Sequence, residues 1–198
     1  MGDLILLRHG ETEWSLAGKH TGRTDIPLTA RGETCAAALA PLLAKRDIIA
    51  VFTSPARRAK RTAELALGPV AATANLDPDL WEWDYGGYEG LTTPQIQERH
   101  PAWSLWQDGV APGDKDHPGE TVAAVGERTD RVLDHARPLL AAGDVVLVAH
   151  GHVLRVLTAR WLGLEPAGGR LFHLDTGTLS TLGFEHDEPV ILTWNAPA

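Results

Sequence analysis

Asp3-Leu4-Ile5-Leu6-Leu7-Arg8-His9-Gly10 is the stretch on which the reading of this chain turns. Leu4 to Leu7 form a short unbroken apolar run, the pattern of a strand covered on both faces, and the polar Arg8-His9-Gly10 ends it in a loop. Two further runs repeat the arrangement. Ile48-Ile49-Ala50-Val51-Phe52 leads into Thr53-Ser54, and Asp144-Val145-Val146-Leu147-Val148-Ala149 leads into His150-Gly151-His152. Helical patterns alternate with these strands, which predicts an α/β fold: a three-layer α/β/α sandwich with a mainly parallel central sheet. Ligands of such sheets bind beyond the carboxyl ends of the strands. His9, Thr53-Ser54 and His150 are therefore expected at one edge.

The helices are read from periodicity and caps. Thr29 caps a helix running to about Lys45, with Cys35, Leu39 and Leu42 on one face and a kink at Pro41. Ser54-Pro55 opens a second helix that stops before Gly68. Val122, Val125, Thr129, Val132, Leu133, Ala136 and Leu140 recur at helical spacing and predict one long amphipathic helix. Another is expected from Val153 to Leu162, and residues 170–194 alternate enough for two or three strands. The segment from about 69 to 118 is irregular and Trp-rich, with short helices after Thr93 and Pro101 and a surface loop over 108–118.

The chain has 198 residues, 43% hydrophobic and 22% charged. Roughly 70% of the surface of an extended chain of this length is buried on folding, enough for one core, so a single domain over 1–198 is expected. Apolar runs such as Leu4 to Leu7 and Val145 to Ala149 are far too short for a bilayer. Met1-Gly2-Asp3 lacks the basic start and long apolar stretch of a secretory signal, and a cytoplasmic location is expected. One cysteine, Cys35, leaves no intrachain disulfide and no multi-cysteine zinc site. Lys+Arg number 18 against 26 Asp+Glu, a net charge of −8. Such a surface repels nucleic acid, and an anionic ligand must be held by local Arg and His.

Arg8 can fork two N–H groups onto an oxyanion, and a neutral His9 offers a nucleophilic nitrogen. A histidine packed under a loop is the plainer reading of His9. Arg57, Lys60, Arg61 and Glu64 form a solvated stripe, whereas Arg58 shares the inward side with Ala59, Thr62 and Ala63. An inward arginine needs an anion, either a ligand or a structural carboxylate. His150 is read as a donor to an anion in preference to an H-x-H metal ligand, and His152 as a helix-start residue without a catalytic part. Glu82 lies among Trp81, Trp83 and Tyr85, apolar neighbours that suit a general acid. Asp84 and Glu89 compete for that role, and a carboxylate turned to water is equally compatible. His20 is the one further histidine near the site.

Leu6-Leu7-Arg8-His9-Gly10-Glu11-Thr12-Glu13-Trp14, with Gly22 and Asp25-Ile26-Pro27-Leu28-Thr29-Ala30-Arg31-Gly32, resembles the histidine phosphatase superfamily, in its phosphoglycerate mutase-like branch. The likeness continues in order through Thr53-Ser54-Pro55, Arg58-Ala59, Glu82, Tyr85-Gly86, Tyr88-Glu89-Gly90, Pro118-Gly119-Glu120-Thr121 and His150-Gly151. It implies a phosphoglycerate mutase-like fold, with His9 as the nucleophile that becomes phosphorylated, Arg8, Arg58 and His150 around the phosphate, and Glu82 as proton donor. Thr21, Gly22, Tyr85 and Gly151 match positions that touch substrate. Where the family often has Asn after the Trp, this chain has Ser15, a hydroxyl of shorter reach.

Phosphoryl transfer through such residues is chiefly positioning and charge neutralisation, so no metal and no cofactor is called for. The cations should keep His9 neutral, with its other ring nitrogen bound to a fixed acceptor. The resemblance lies closest to acid phosphatases and sugar-bisphosphatase-like members. Only the stretch from Leu91 to His117 is available to cover the site, a short cover that lets water in. Hydrolysis of a small phosphorylated metabolite is therefore expected, with cofactor-dependent interconversion of 2- and 3-phosphoglycerate as the alternative. No nucleic acid or membrane partner is expected, and a homodimer is compatible with the composition.

Overall fold

The computed structural model describes residues 1–198. The chain forms β1 (Leu4–Arg8), α1 (Glu13–Leu16), α2 (Ala30–Ala38), α3 (Ala40–Leu43), β2 (Ile48–Thr53), α4 (Arg57–Leu67), β3 (Asn75–Leu76), α5 (Thr93–Gln97), α6 (Leu105–Asp108), α7 (Val122–Ala136), β4 (Asp144–Ala149), α8 (Gly151–Trp161), β5 (Leu179–Glu185) and β6 (Glu188–Ala196). The strands make one sheet in the order β3-β2-β4-β1-β5-β6. Pairings among β1 to β4 are parallel, and β5 and β6 add an antiparallel hairpin beside β1.

Alternate residues of the central strands feed two cores. Ile5, Leu7, Val146 and Val148 face α2, α3 and α4. Leu4, Leu6, Val145, Leu147 and Ala149 face α7, α8 and the 80–105 segment. Both faces are covered, which is why the strands read as continuous apolar runs, and the three layers are those anticipated. The aromatic segment is partly core: Trp83 is fully buried, Trp103 nearly so, and Leu80, Ile96 and Leu105 join them. Its first residues also supply β3, an edge strand paired with β2.

Several boundaries differ from expectation. The helix predicted over 29–45 is two, because Pro41 cannot continue the hydrogen-bond ladder and falls in the first turn of α3. Its buried side carries Gly32, Ala36, Leu39 and Leu43, while Cys35 is half-buried and Leu42 is exposed. The face is set by close approach: a Cβ on Gly32 would stand 2.1 Å from the Glu11 carbonyl oxygen. α7 stops at Ala136, and Pro138 turns the remainder into a 3₁₀ segment over Arg137–Ala141. α4 begins at Arg57 rather than Ser54, and α8 at Gly151 rather than Val153. No helix is long and apolar enough to cross a membrane.

Candidate active site

β1, β4 and β2 end side by side. The His9 N–H donates to the Ala149 carbonyl at 2.9 Å and the Ser54 N–H to the Val148 carbonyl at 2.9 Å, so the residues leaving the three strands are held at one edge. Here lies a cavity of about 190 Å³ lined by Arg8, His9, Ser15, Gly18, Lys19, His20, Thr21, Glu82, Tyr85 and His152.

His9 is almost completely buried, and its Nδ1 lies 2.7 Å from the Gly10 carbonyl oxygen. A carbonyl only accepts, so Nδ1 carries the proton and Nε2 keeps its lone pair. Burial first, then the Arg58 and Arg8 guanidinium groups, push its pKa well below the usual imidazole value. Gly10 is fixed in turn, since its N–H donates to Thr62 Oγ1 at 3.0 Å. Arg8 donates from Nη1 to the Leu174 carbonyl, and its Nε is buried without a partner. A Cβ on Gly151 would lie 3.1 Å from Arg8 Cζ, so the absent side chain lets the guanidinium rest against the first turn of α8.

Arg58 points inward, as its position opposite the charged stripe predicts, and is fully buried while Arg57 is exposed. It has no bonded carboxylate. Its Nη1 donates to the Thr24 carbonyl at 2.9 Å, its Nη2 to the Gly22 and Thr21 carbonyls at 2.9 and 3.3 Å, and its Nε to His150 Nδ1 at 3.1 Å. Because His150 Nδ1 accepts, its Nε2 carries the proton and donates to Ser54 Oγ at 2.7 Å. Burial and Arg58 hold the His150 pKa well below 6.5. Both ring nitrogens thus have protein partners. His152 turns instead to Tyr85, and the two histidines do not converge as an H-x-H ligand pair.

Glu82 lines the cavity, whereas its rivals are used elsewhere. Glu89 accepts from the Gly22 and Thr24 N–H groups, and Asp84 accepts from the Gly86 N–H. The surroundings of Glu82 are less apolar than the flanking aromatics imply. Its Oε1 accepts from the Trp83 and Val153 N–H groups and its Oε2 from the His152 N–H, each at 2.9 Å. Two of those donors are unpaired amides of the first turn of α8, where helices attract carboxylates.

Arg8, His9, Ser15, Thr21, Glu82 and Tyr85 line the cavity, with Arg58, His150, Gly22 and Gly151 forming the layer beneath. The Ser15 hydroxyl also accepts from the Thr12 N–H at 2.8 Å and donates to the Thr12 carbonyl, closing a capping box on α1. Gly22 acts through its backbone, bonded to Glu89 and Arg58, and a Cβ there would meet the Trp83 carbonyl oxygen at 2.6 Å. His20 is present as anticipated, its pKa lowered to about 4 by burial. No tryptophan lines the cavity. Sequence reasoning gave no role to Lys19 and, above all, to His152, whose Nδ1 lies 2.6 Å from Tyr85 Oη, while Ser54 stands at the edge where the strand pattern put it. The doubled histidine of His150-Gly151-His152 was the available signal, set aside because a helix start has a simpler use for it.

Residues 4–197 match the family described as the histidine phosphatase superfamily, branch 1. The chain is 43% identical over 185 residues to an acid phosphatase of Mycobacterium tuberculosis, a match spanning 92% of this chain and 87% of that one. It is 35% identical over 188 residues to the sedoheptulose 1,7-bisphosphatase of Saccharomyces cerevisiae, spanning 81% and 67%. A probable phosphoglycerate mutase of Yersinia enterocolitica is 29% identical over 194 residues, spanning 98% and 90%. Among solved structures, the product of a Mycobacterium tuberculosis open reading frame superposes with a TM-score of 0.90 at 40% identity, covering 99% and 98% of the two chains. A phosphoserine phosphatase of Entamoeba histolytica, solved with phosphoserine, gives 0.83 at 29% identity over 98% and 97%. With that similarity running from β1 to β6, the chain belongs to branch 1 of the histidine phosphatase superfamily, has its phosphoglycerate mutase-like fold, and is an enzyme of the histidine phosphatase type.

Proposed function

We propose that the chain hydrolyses small phosphate monoesters, without a metal, through a phosphohistidine on His9. The observation that carries this reading is the orientation of His9: Nδ1–H is spent on the Gly10 carbonyl, so Nε2 is the nucleophile, and burial, aided by Arg58 and Arg8, keeps it unprotonated. Nε2 attacks phosphorus as the bond to the leaving oxygen breaks, and Glu82 delivers a proton to that oxygen. Water then attacks the phosphohistidine, giving its proton to Glu82 and releasing phosphate and free His9.

Arg8 Nε, buried and unpartnered, supports a direct bond to a phosphoryl oxygen. Arg58 and His150 join by exchanging their mutual hydrogen bond for the oxyanion. His150 can then donate from Nδ1, because the Ser54 hydroxyl that accepts from Nε2 can equally donate to it. Thr21 and Tyr85 line the same cavity. Its small volume supports a compact substrate.

The test is phosphate release from simple monoesters with chelator present. His9→Ala should lower kcat by about 10³-fold or more and abolish an acid-labile, base-stable phosphoenzyme trapped from labelled substrate. Turnover or labelling that survives in His9→Ala would refute the reading. Net conversion of 3- to 2-phosphoglycerate outrunning phosphate release would favour the mutase alternative.

A further inference from the structure

His152 has no part in the scheme above, yet its ring lines the same cavity and is bonded to Tyr85 at 2.6 Å. Burial keeps the Tyr85 phenol protonated, its pKa well above 10, and keeps the His152 imidazole neutral, well below 6.5, aided by Arg155 and His20. At neutral pH the pair therefore holds two exchangeable protons, one O–H and one N–H, and a single hydrogen bond joins them. If the phenol donates to Nδ1, the imidazole proton sits on Nε2; if Nδ1 donates to Oη, the phenolic O–H keeps its proton and is free to donate elsewhere. Either way one donor is left over, and neither side chain has another partner in the protein.

That surplus donor is held in place. The His152 N–H binds Glu82 Oε2 at 2.9 Å, its ring stands edge-on to Trp83 with centroids 6.4 Å apart, and its side chain is 23% exposed. His152 Nδ1 lies 4.0 Å from Glu82 Oε2, so the pair borders the place where a leaving oxygen must sit to take the Glu82 proton. Only one of the ten lining residues is hydrophobic, which leaves little to favour an apolar leaving group.

We propose that His152, acting with Tyr85, is a specificity-determining residue that gives one hydrogen bond to a hydroxyl of the leaving alcohol, so that esters of polyhydroxylated alcohols are preferred over those of plain ones. This rests on the phosphomonoesterase reading. A site built to bond a substrate hydroxyl discriminates strongly against the analogue lacking it, since its polar groups are then left unpaired.

The experiment compares kcat/KM for glycerol 3-phosphate, propyl phosphate and phenyl phosphate in the unaltered protein, His152→Phe, His152→Asn and Tyr85→Phe. The unaltered protein should favour glycerol 3-phosphate over propyl phosphate by about ten-fold or more, and His152→Phe should erase most of that preference. His152→Asn, whose amide can bond Tyr85 from the position of Nδ1, should recover part of it. Tyr85→Phe should show the same selective loss, which keeps the comparison available if the imidazole proves necessary for folding. Equal losses on the glycerol and propyl esters would overturn the proposal. So would losses that follow leaving-group basicity, large on both alkyl esters and small on phenyl phosphate, because His152 would then act only through Glu82. Failure of the unaltered protein to hydrolyse any of the three would instead remove the phosphomonoesterase reading itself.

Discussion

On the proposed mechanism Glu82 gives up a proton while three backbone amides hold it, and this combination specifies how its loss would read. The amides fix the carboxyl in place at the first turn of α8, so Glu82→Gln keeps the shape but removes the transferable proton together with the acceptor for the His152 N–H, a loss common to every substrate. Alkyl esters, whose alkoxide leaves poorly, should lose about 10² to 10³ in kcat, and phenyl phosphate far less. Measuring both with one preparation checks it, and equal losses would argue for a purely positioning carboxylate. At this scale the sequence was informative where local spacing settled direction. Arg58 was assigned inward from the stripe of Arg57, Lys60, Arg61 and Glu64, and it is fully buried. It was uninformative where partners lie far along the chain. The amides on Glu82 include those of residues 152 and 153, and the acceptor that fixes Gly10 is Thr62. Ser15 lines the cavity, and its capping box with Thr12 is a local use of the hydroxyl that the family pattern does not reveal.

The central elements were largely legible because β1, β2 and β4 are each an apolar run ending in polar residues, and strands covered on both faces require that pattern. Their ends were not, because prolines and close approaches cut helices at positions that periodicity does not mark. Pro41 and Pro138 did so in α3 and after α7. Close approach also yields a test. Gly126 lies in α7 where a Cβ would meet Pro166 Cγ at 2.4 Å. Alanine is the better helix former by about 1 kcal/mol, yet the clash is expected to win, with Gly126→Ala costing about 1 to 3 kcal/mol. Thermal melting should record the loss while kcat is held, and a raised melting temperature would show that the Pro166 turn yields freely.

For the molecule as a whole, the site is a liability in acid. His9, His20, His150 and His152 all have folded pKa values below 6.5, chiefly through burial. The unfolded chain therefore takes up these protons first. The associated stability is complete above about pH 6.5 and is lost as pH falls toward the folded values. For His20, moving from 6.5 to about 4, the loss is about 3 kcal/mol over that interval. Calorimetry from pH 8 to 4 should show the melting temperature dropping below about 6.5, and His20→Gln should flatten part of the slope. A slope identical to that of the unaltered protein would contradict the assignment. The sequence could place His20 near the site but not bury it, because its ring packs against Tyr85 and Trp103, which arrive from the segment over 69–118.

The guanidinium of Arg58, clasped by the carbonyls of residues 21, 22 and 24, is also the peg that fastens their loop to α4. A descendant of this protein that abandoned catalysis would still need that arginine to keep the loop in place, so its retention in a lineage testifies to architecture as much as to chemistry.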